Sequence, residues 1–359
     1  MKNSSLFDFK IIFSFFIIEI LSLSMIWSLK ADLFLNQLIF FIIGFVLFFI
    51  FSIIDFRIFE NFSYHFYLFS LIFLFSPFFF GQVTRGSLRW IQIGGFTVQP
   101  SEIVKPFLVC SFAAFLSKKE KNFRVLDLIK IFFLFLLPLF LVFKQPDLGS
   151  SLLIFSSFLG VFFVSGIPFL YIAGGLMSLI ISFPVIWIFL KEYQKLRIIS
   201  FLNPYHDPLG AGYHLIQSVA AVGSGQIFGR GFGKGIQSHL HFLPENYTDF
   251  IFASLSEEMG FLGSLLLLVC YFVLLLRILK ISQNSTSSFG SAVGFGFFSL
   301  FLFQIFANIG MNMGLLPVVG ITLPLFSYGG SSIIATMISL GIIESIFKFQ
   351  KQRKIIEIK

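Results

Sequence analysis

Ten apolar runs, each long enough to cross a bilayer as a helix, follow one another along this chain, and they constrain its fold more than anything else in it. A span needs about 20 helical residues. On that rule the runs fall near 10–29, 35–54, 62–80, 101–117, 128–143, 148–166, 168–190, 250–276, 290–312 and 327–347. Composition agrees: 57% of residues are hydrophobic and 12% charged, against about 25% charged in a soluble domain. The expected fold is an all-α integral membrane protein of about ten transmembrane helices, a single polytopic membrane domain over residues 1–359. Between helices 7 and 8 lies a connection, 191–248, too long for a simple link; mixing apolar stretches with Gly and His, it is expected to form an ordered extracytoplasmic cap.

Charge sets the orientation. With both termini in the cytoplasm, fourteen Lys and Arg fall in inside segments and nine on the other face, most of those nine in the one long loop that the positive-inside rule discounts. The net charge of +8 is thus largely a topology signal together with contact to anionic membrane lipid, and gives no argument for nucleic acid. Cys110 and Cys270 both sit in apolar runs, which argues against a disulfide framework or a metal cluster. The first run carries Glu19 and no small-residue cleavage pattern follows it, so it reads as a retained helix. No internal repeat and no soluble domain is evident.

Against this background the acids stand out, because the chain has only 17 Asp and Glu and a charge carried toward a bilayer interior costs roughly 2.5–3.5 kcal/mol on insertion scales. FLPENYTDFIFASLSEE, residues 242–258, puts Glu245 and Asp249 just outside the eighth run and carries Glu257 and Glu258 into it. Helix rise separates those two from Asp249 by roughly 12–13 Å, and they are expected to face protein. Asp249, or Thr248, has an alternative use as a helix N-cap; company with other acids and a polar cap upstream favours a functional site. GSLRWIQIGGFTVQPSEIVKPF, residues 86–107, brings Arg89 and Trp90 ahead of a span bearing Glu102 and Lys105. The spacing of three puts Glu102 and Lys105 on one helix face, where they can neutralise each other, and Trp90 can serve as an interfacial anchor.

Three further segments carry weaker signals. Lys144 to Asp147 reads as a charged turn. GSGQIFGRGFGKG, residues 223–235, lacks the preceding strand of a nucleotide fingerprint, although its amides with Arg230 and Lys234 could meet a lipid diphosphate. Residues 308–332 break the helical pattern with Pro317, Pro324 and several glycines, the kind of backbone tolerated at membrane depth where it lines a cavity or is buried in protein. The five histidines form no recognisable zinc pattern; His239 and His241 alternate and could meet a metal or lie in solvent.

Taken together, GSLRWIQIGGFTVQPSEIVKPF, KQPDLGSSLLI, FLNPYHDPLGAGYHLIQS, the stretch from Gly223 to Gly263 and NIGMNMGLLPVVGITLPLFSYGGSS resemble the SEDS family of bacterial cell-wall polymerases, in family order from residue 86 to 332. GAGYHLIQS, GIQSHLHFLPE and LPVVGITLPL are more similar to its elongation branch, the RodA type, than to its division branch, the FtsW type. Tyr247 departs from the family's HTDF motif, which has His there. The resemblance implies a ten-helix membrane fold and a peptidoglycan glycosyltransferase that polymerises lipid II beside a class B penicillin-binding protein. It also implies an essential role for Asp249, and importance for Trp90 and Glu102. The expected chemistry makes Asp249 the base for a sugar hydroxyl, with Arg89, Lys105 or a divalent cation (Mg or Mn) stabilising the leaving diphosphate and Glu245 a neighbour in the site; Asp249 holding the metal instead stays open. A lipid-precursor flippase and a non-catalytic recruiting protein are the rival classes. A flippase should carry its charges through the membrane midplane.

Overall fold

The computed structural model describes residues 7–84, 87–117, 125–166, 169–207, 210–240 and 242–357; the basic loop 118–124 and His241 lie outside them. Every one of the ten apolar runs falls on a helix. These are α1 (Phe9–Leu29), α2 (Phe34–Ile53), then after the short α3 (Arg57–Asn61) the broken pair α4 (Ser63–Phe75) and α5 (Pro77–Phe80). Three strands follow, β1 (Gly81–Thr84), β2 (Ser87–Ile93) and β3 (Phe96–Val98), then α6 (Pro100–Ile103), α7 (Lys105–Ser117), α8 (Val125–Lys144), α9 (Leu148–Val164) and α10 (Phe169–Phe189). The connection 191–248 holds α11 (Glu192–Leu202), α12 (Ala211–Ser224) and α13 (Ile236–His239), and the chain ends with α14 (Ile251–Gln283), α15 (Ser288–Asn312) and α16 (Gly330–Glu357). Six described helical stretches are long and apolar enough to cross a membrane by length and composition, with α7 and α9 as shorter apolar helices.

α2 packs along α16, α9 along α15, and α14 between α1 and α15. Glycines let these backbones approach: a Cβ on Gly341 of α16 would stand 2.7 Å from Phe48 O, and one on Gly160 of α9 would stand 2.5 Å from Phe295 O. Without a hydrophobic drive between helices in lipid, such close packing is what holds them. Phe15, Phe48, Phe289, Phe297, Phe301 and Phe326 fill the interior, while Ile181, Phe272 and many other large apolar side chains stay exposed on the spans, as lipid-facing surface requires.

The two ends of the bundle differ. At the terminal end, Asp8 pairs with Arg277 of α14 and its N–H donates to Glu344 Oε1 of α16 at 2.7 Å. At the cap end, Ser28 in the last turn of α1 donates to Glu258 at 2.8 Å. The small antiparallel sheet, in the order β1-β2-β3, sits between α5 and α6. Gln82 pairs with Trp90 and Ile93 with Phe96. Gly94 and Gly95, at φ 56° and 88°, make the two-residue turn that a tight hairpin requires.

α14 is the place where the helical expectation changes. Gly260 has φ 64° and ψ −160°, a conformation essentially restricted to glycine, and it separates residues 251–259 from 261–283. The second part alone reaches roughly 34 Å at 1.5 Å per residue, enough for a hydrocarbon core of about 30 Å. Glu257 and Glu258 are therefore not carried down a continuous span. They end a short helix beside Ser28, buried against protein as expected, at 0% and 1% exposure.

The glycine-rich run fills this break. Phe261 N and Leu262 N donate to Gln226 O and Ile227 O, while Arg230 N and Gly231 N donate to Glu257 O and Glu258 O. Gly233 N bonds Glu258 Oε2 at 3.0 Å, and Glu257 accepts from Gln237 N, Ser238 N and Ser238 Oγ at the start of α13. The amides of Arg230, Gly231 and Gly233 are thus paired within the protein, which makes the run a structural clasp. His239 likewise engages Glu258 Oε1 at 2.8 Å.

Gly260→Ala is expected to cost about 1–3 kcal/mol from backbone strain and more from contact, since its Cβ would stand 2.3 Å from Gly229 N. Thermal unfolding in detergent should shift down clearly. Gly174→Ala, inside α10 with nothing within 4 Å, should not lower it, since Ala is the better helix former there.

Candidate active site

The chain between α13 and α14 is held by its carbonyls. Tyr247 O accepts from Tyr328 N at 2.9 Å, Thr248 O from Ser327 Oγ at 2.6 Å, and Asp249 O from both Asn308 Nδ2 and Asn312 Nδ2 at 3.0 Å. The asparagines, four apart on α15, present both amides on one face. Asn312 Oδ1 also accepts from Ala253 N at 3.0 Å, satisfying a free N–H in the first turn after Asp249. Asp249 is thus not the N-cap of α14; Phe250 occupies that position without a side-chain cap.

The donors to Tyr247 O and Thr248 O come from the connection 313–329, irregular backbone whose Leu323 and Phe326 are fully buried. Its carbonyls are satisfied from four helices: Pro324 O by Tyr271 OH at 2.6 Å, Phe326 O by Ser22 Oγ at 2.7 Å, Ser327 O by Gln37 Nε2 at 3.3 Å and Thr322 O by Gln304 Nε2 at 2.9 Å. Of the two settings that tolerate broken backbone at membrane depth, lining a cavity or burial in protein, this connection takes the second.

Around the Arg197 guanidinium, Asp249, Arg89 and Asp147 gather. Gly320, at φ 75°, lies so close that a Cβ there would stand 3.3 Å from Asp249 Oδ2 and 3.8 Å from Arg197 Nη1. Arg197, on α11, donates from Nη1 to Val319 O at 2.9 Å. Burial pushes its guanidinium below the usual range, and the largest opposing influence is Asp249. Arg89 and Asp147 act on the same guanidinium, and Arg89 Nη1 stands 4.0 Å from Asp147 Oδ1.

Asp147 organises its side of the site. It caps α9 by accepting from Ser150 N at 3.1 Å, and takes further bonds from Gln99 Nε2 at 2.7 Å and Ser150 Oγ at 2.8 Å. The charged turn 144–147 is therefore a fixed anchor joining α9 to the strand-to-helix junction at 99–101. A Cβ on Gly149 would stand 3.3 Å from Gly320 O, which brings this anchor against the loop facing Asp249. Tyr193, its hydroxyl raised chiefly by burial and held down by Arg197 and Arg89, donates to Pro146 O at 3.2 Å.

Among the residues singled out from sequence, Asp249 and Arg89 belong to this cluster. Glu245 lies behind it, at φ 55°, accepting from Thr248 Oγ1 at 2.9 Å and opening the turn that presents Asp249. Trp90 is half-buried but adjacent to Arg89 on β2, so the two side chains point to opposite faces of the sheet. Glu102 and Lys105 form a buried ion pair at 2.5 Å, 8% and 4% exposed, the neutralisation that their spacing of three offers, and the pair directs the lysine's charge to its neighbour instead of to a leaving group. Arg197, Asp147, Asn308 and Asn312 were not singled out, Asp147 having been read only as part of a turn. The asparagine pair had a signal, two amides one turn apart in an apolar run; Arg197 had none. Among the described residues no three His, Cys, Asp or Glu side chains gather as a metal-holding group, so the donor set does not form a metal cage.

The comparisons with known proteins agree with this architecture. The model of the family described as cell cycle protein, which unites FtsW, RodA and SpoVE, matches residues 4–352, and the chain belongs to that family. It is 41% identical to the peptidoglycan glycosyltransferase MrdB of Escherichia coli (strain K12) over 82% of this chain and 80% of MrdB. Stage V sporulation protein E of Bacillus subtilis (strain 168) is 40% identical over 76% of this chain and 74% of that protein. Among solved structures, a chain of a peptidoglycan synthase complex superposes with a TM-score of 0.84 at 31% identity, covering 96% of this chain and 99% of that one. The rod shape determining protein RodA of Thermus thermophilus gives 0.73 at 27% identity, with 98% and 99% covered.

His214 on α12 supplies a pH test of the cluster. Its pKa is lowered from 6.5 by burial first and then by Arg197, with Glu245 opposing, and its Nδ1 is buried without a partner among the described residues. A depressed folded-state pKa favours the neutral ring, so its contribution to stability is present above pH 6.5 and is lost as pH falls through the lower folded value. Unfolding temperature measured from pH 7.5 to 5 should fall less steeply in His214→Gln than in wild type.

Proposed function

We propose that the chain is a peptidoglycan glycosyltransferase of the elongation type, which joins lipid II units into glycan strands with Asp249 as the general base. The observation that carries this reading is the Asp249 carboxylate facing Arg197 across Gly320, where no side chain intervenes. Polymerisation needs a base for a sugar hydroxyl and positive charge for a departing diphosphate, and the site supplies both within one cluster. On the orientation expected from charge, with both termini cytoplasmic, this cluster lies at the outer face of the bacterial cytoplasmic membrane.

In this reading Asp249 takes the proton of the acceptor's C4 hydroxyl as its oxygen bonds to the anomeric carbon, and the bond from that carbon to the lipid diphosphate breaks. The electron pair leaves with the diphosphate. Arg197 and Arg89 face the developing charge. Asp147 positions Arg89. Trp90, on the other sheet face, is assigned to sugar or interface contact, Glu102 with Lys105 to holding α6 and α7 together, and Glu245 to the turn. Mg or Mn, where used, would supply further charge to the diphosphate; no step is assigned to the ion.

A class B penicillin-binding protein is the proposed partner, supported by the structural likeness to a chain of a peptidoglycan synthase complex. The gathering of Asp249, Arg197 and Arg89 at the cap end, instead of midway along the spans, favours polymerisation over lipid flipping.

The test is glycan formation from labelled lipid II by the purified chain, with and without its transpeptidase partner. Wild type should make polymer, and Asp249→Asn should lower the rate by about 10²–10⁴, the range for a lost general base, at an unchanged unfolding temperature. Equal rates would remove Asp249 from the chemistry. Arg197→Gln should lose about 10²–10³. Lipid movement without polymer in liposomes would favour the flippase.

A further inference from the structure

The two arginines assigned to the departing diphosphate come from different elements, Arg197 from α11 in the cap and Arg89 from β2, and one further side chain touches the supports of both. Tyr193 stands one turn before Arg197 on the same face of α11. Arg197 Cζ lies over its ring, 5.8 Å from the centroid, within reach of a cation–π contact. The Tyr193 hydroxyl donates to Pro146 O at 3.2 Å. The next residue in that turn is Asp147, whose Oδ1 stands 4.0 Å from Arg89 Nη1 and whose Oδ2 is held by Gln99 and Ser150. The hydroxyl accordingly lies in the field of both guanidinium groups.

The two guanidinium groups repel each other, so their spacing has to be set by what holds each of them. Arg197 gives one N–H to Val319 O at 2.9 Å and one face to the Tyr193 ring, which fixes the plane of its remaining donors. Two forks held apart on separate elements suit an extended anion of two linked phosphates, whereas a single phosphate can be satisfied on one fork. We infer that Tyr193 is a positioning residue that sets the separation and plane of the Arg197 and Arg89 guanidinium groups and so selects a lipid diphosphate over a lipid monophosphate. The inference rests on the placing of the diphosphate at these arginines under the proposed function. Tyr193 takes no part in proton transfer.

The full-length chain in detergent, titrated by native mass spectrometry with farnesyl diphosphate and with farnesyl monophosphate, gives the ratio of the two affinities without any need for polymerisation. Wild type should favour the diphosphate. Tyr193→Phe, which keeps the ring and loses the tie to Pro146, should lower the ratio about threefold, the worth of an exposed hydrogen bond. Tyr193→Ala, which loses both contacts, should lower it about tenfold, with monophosphate affinity nearly unchanged in both variants. Arg197→Gln separates this inference from the reading beneath it: the ratio should fall at least as far, and adding Tyr193→Ala should then change little, since residues that act through one another are not additive. A wild-type ratio in both Tyr193 variants, whether neither ligand or both ligands bind more weakly, overturns the role of Tyr193 alone if Arg197→Gln lowers it. A wild-type ratio in all three variants removes the diphosphate from Arg197, and the inference with it.

Discussion

Three consecutive carbonyls, those of Tyr247, Thr248 and Asp249, set the conditions that the rest of the structure meets. Partly buried and outside regular structure, they would each cost about 1–3 kcal/mol unpaired. Their partners all come from α15 and the connection after it: Tyr328 N, Ser327 Oγ and the two asparagine amides. That connection is itself irregular and buried, so it in turn draws donors from α1, α2, α14 and α15. One hydrogen-bonded system therefore ties the Asp249 turn to the packing of four helices.

The helix break at Gly260 solves a second problem. A continuous α14 would bury Glu257 and Glu258 deep in the bundle, at the cost expected of charges in a span. Ending the first segment there lets both carboxylates accept from the glycine-rich run and α13, so the same two acids fasten the cap to the bundle beside α1. On the other side, Asp147 fixes α9 to the sheet and holds Arg89 close. Asp249 and its cations thus stand on elements locked from two directions, the preorganisation that electrostatic catalysis depends on.

Much of this was legible in the sequence, and the omissions have physical reasons. Spans are set by run length and hydropathy, which is why all ten fell on helices with soft ends. The sheet was passed over because its strands are 4, 7 and 3 residues long, although IGGF, with two glycines between apolar residues, is a hairpin signal. Gly260 left no mark, since one glycine in an apolar run looks the same whether it packs a neighbour, as Gly160 does, or breaks the helix. Asp249 could be found because acid is scarce and costly near a bilayer. Arg197 could not, being one cation among several in a long cap, brought to Asp249 only by the loop around Gly320. Lys105 shows the converse: its i,i+3 spacing from Glu102 offered an ion pair, and the pair is what formed.

The central claim is that Asp249 and the guanidinium groups of Arg197 and Arg89 surround the reacting atoms. A structure of the chain bound to a lipid-linked disaccharide diphosphate analogue tests it most directly. The account predicts a sugar hydroxyl within about 3 Å of the Asp249 carboxylate, the reach of a general base, and the diphosphate against Arg197 and Arg89. A diphosphate seated on the opposite face of the sheet, with Asp249 turned away from every sugar hydroxyl, would contradict it.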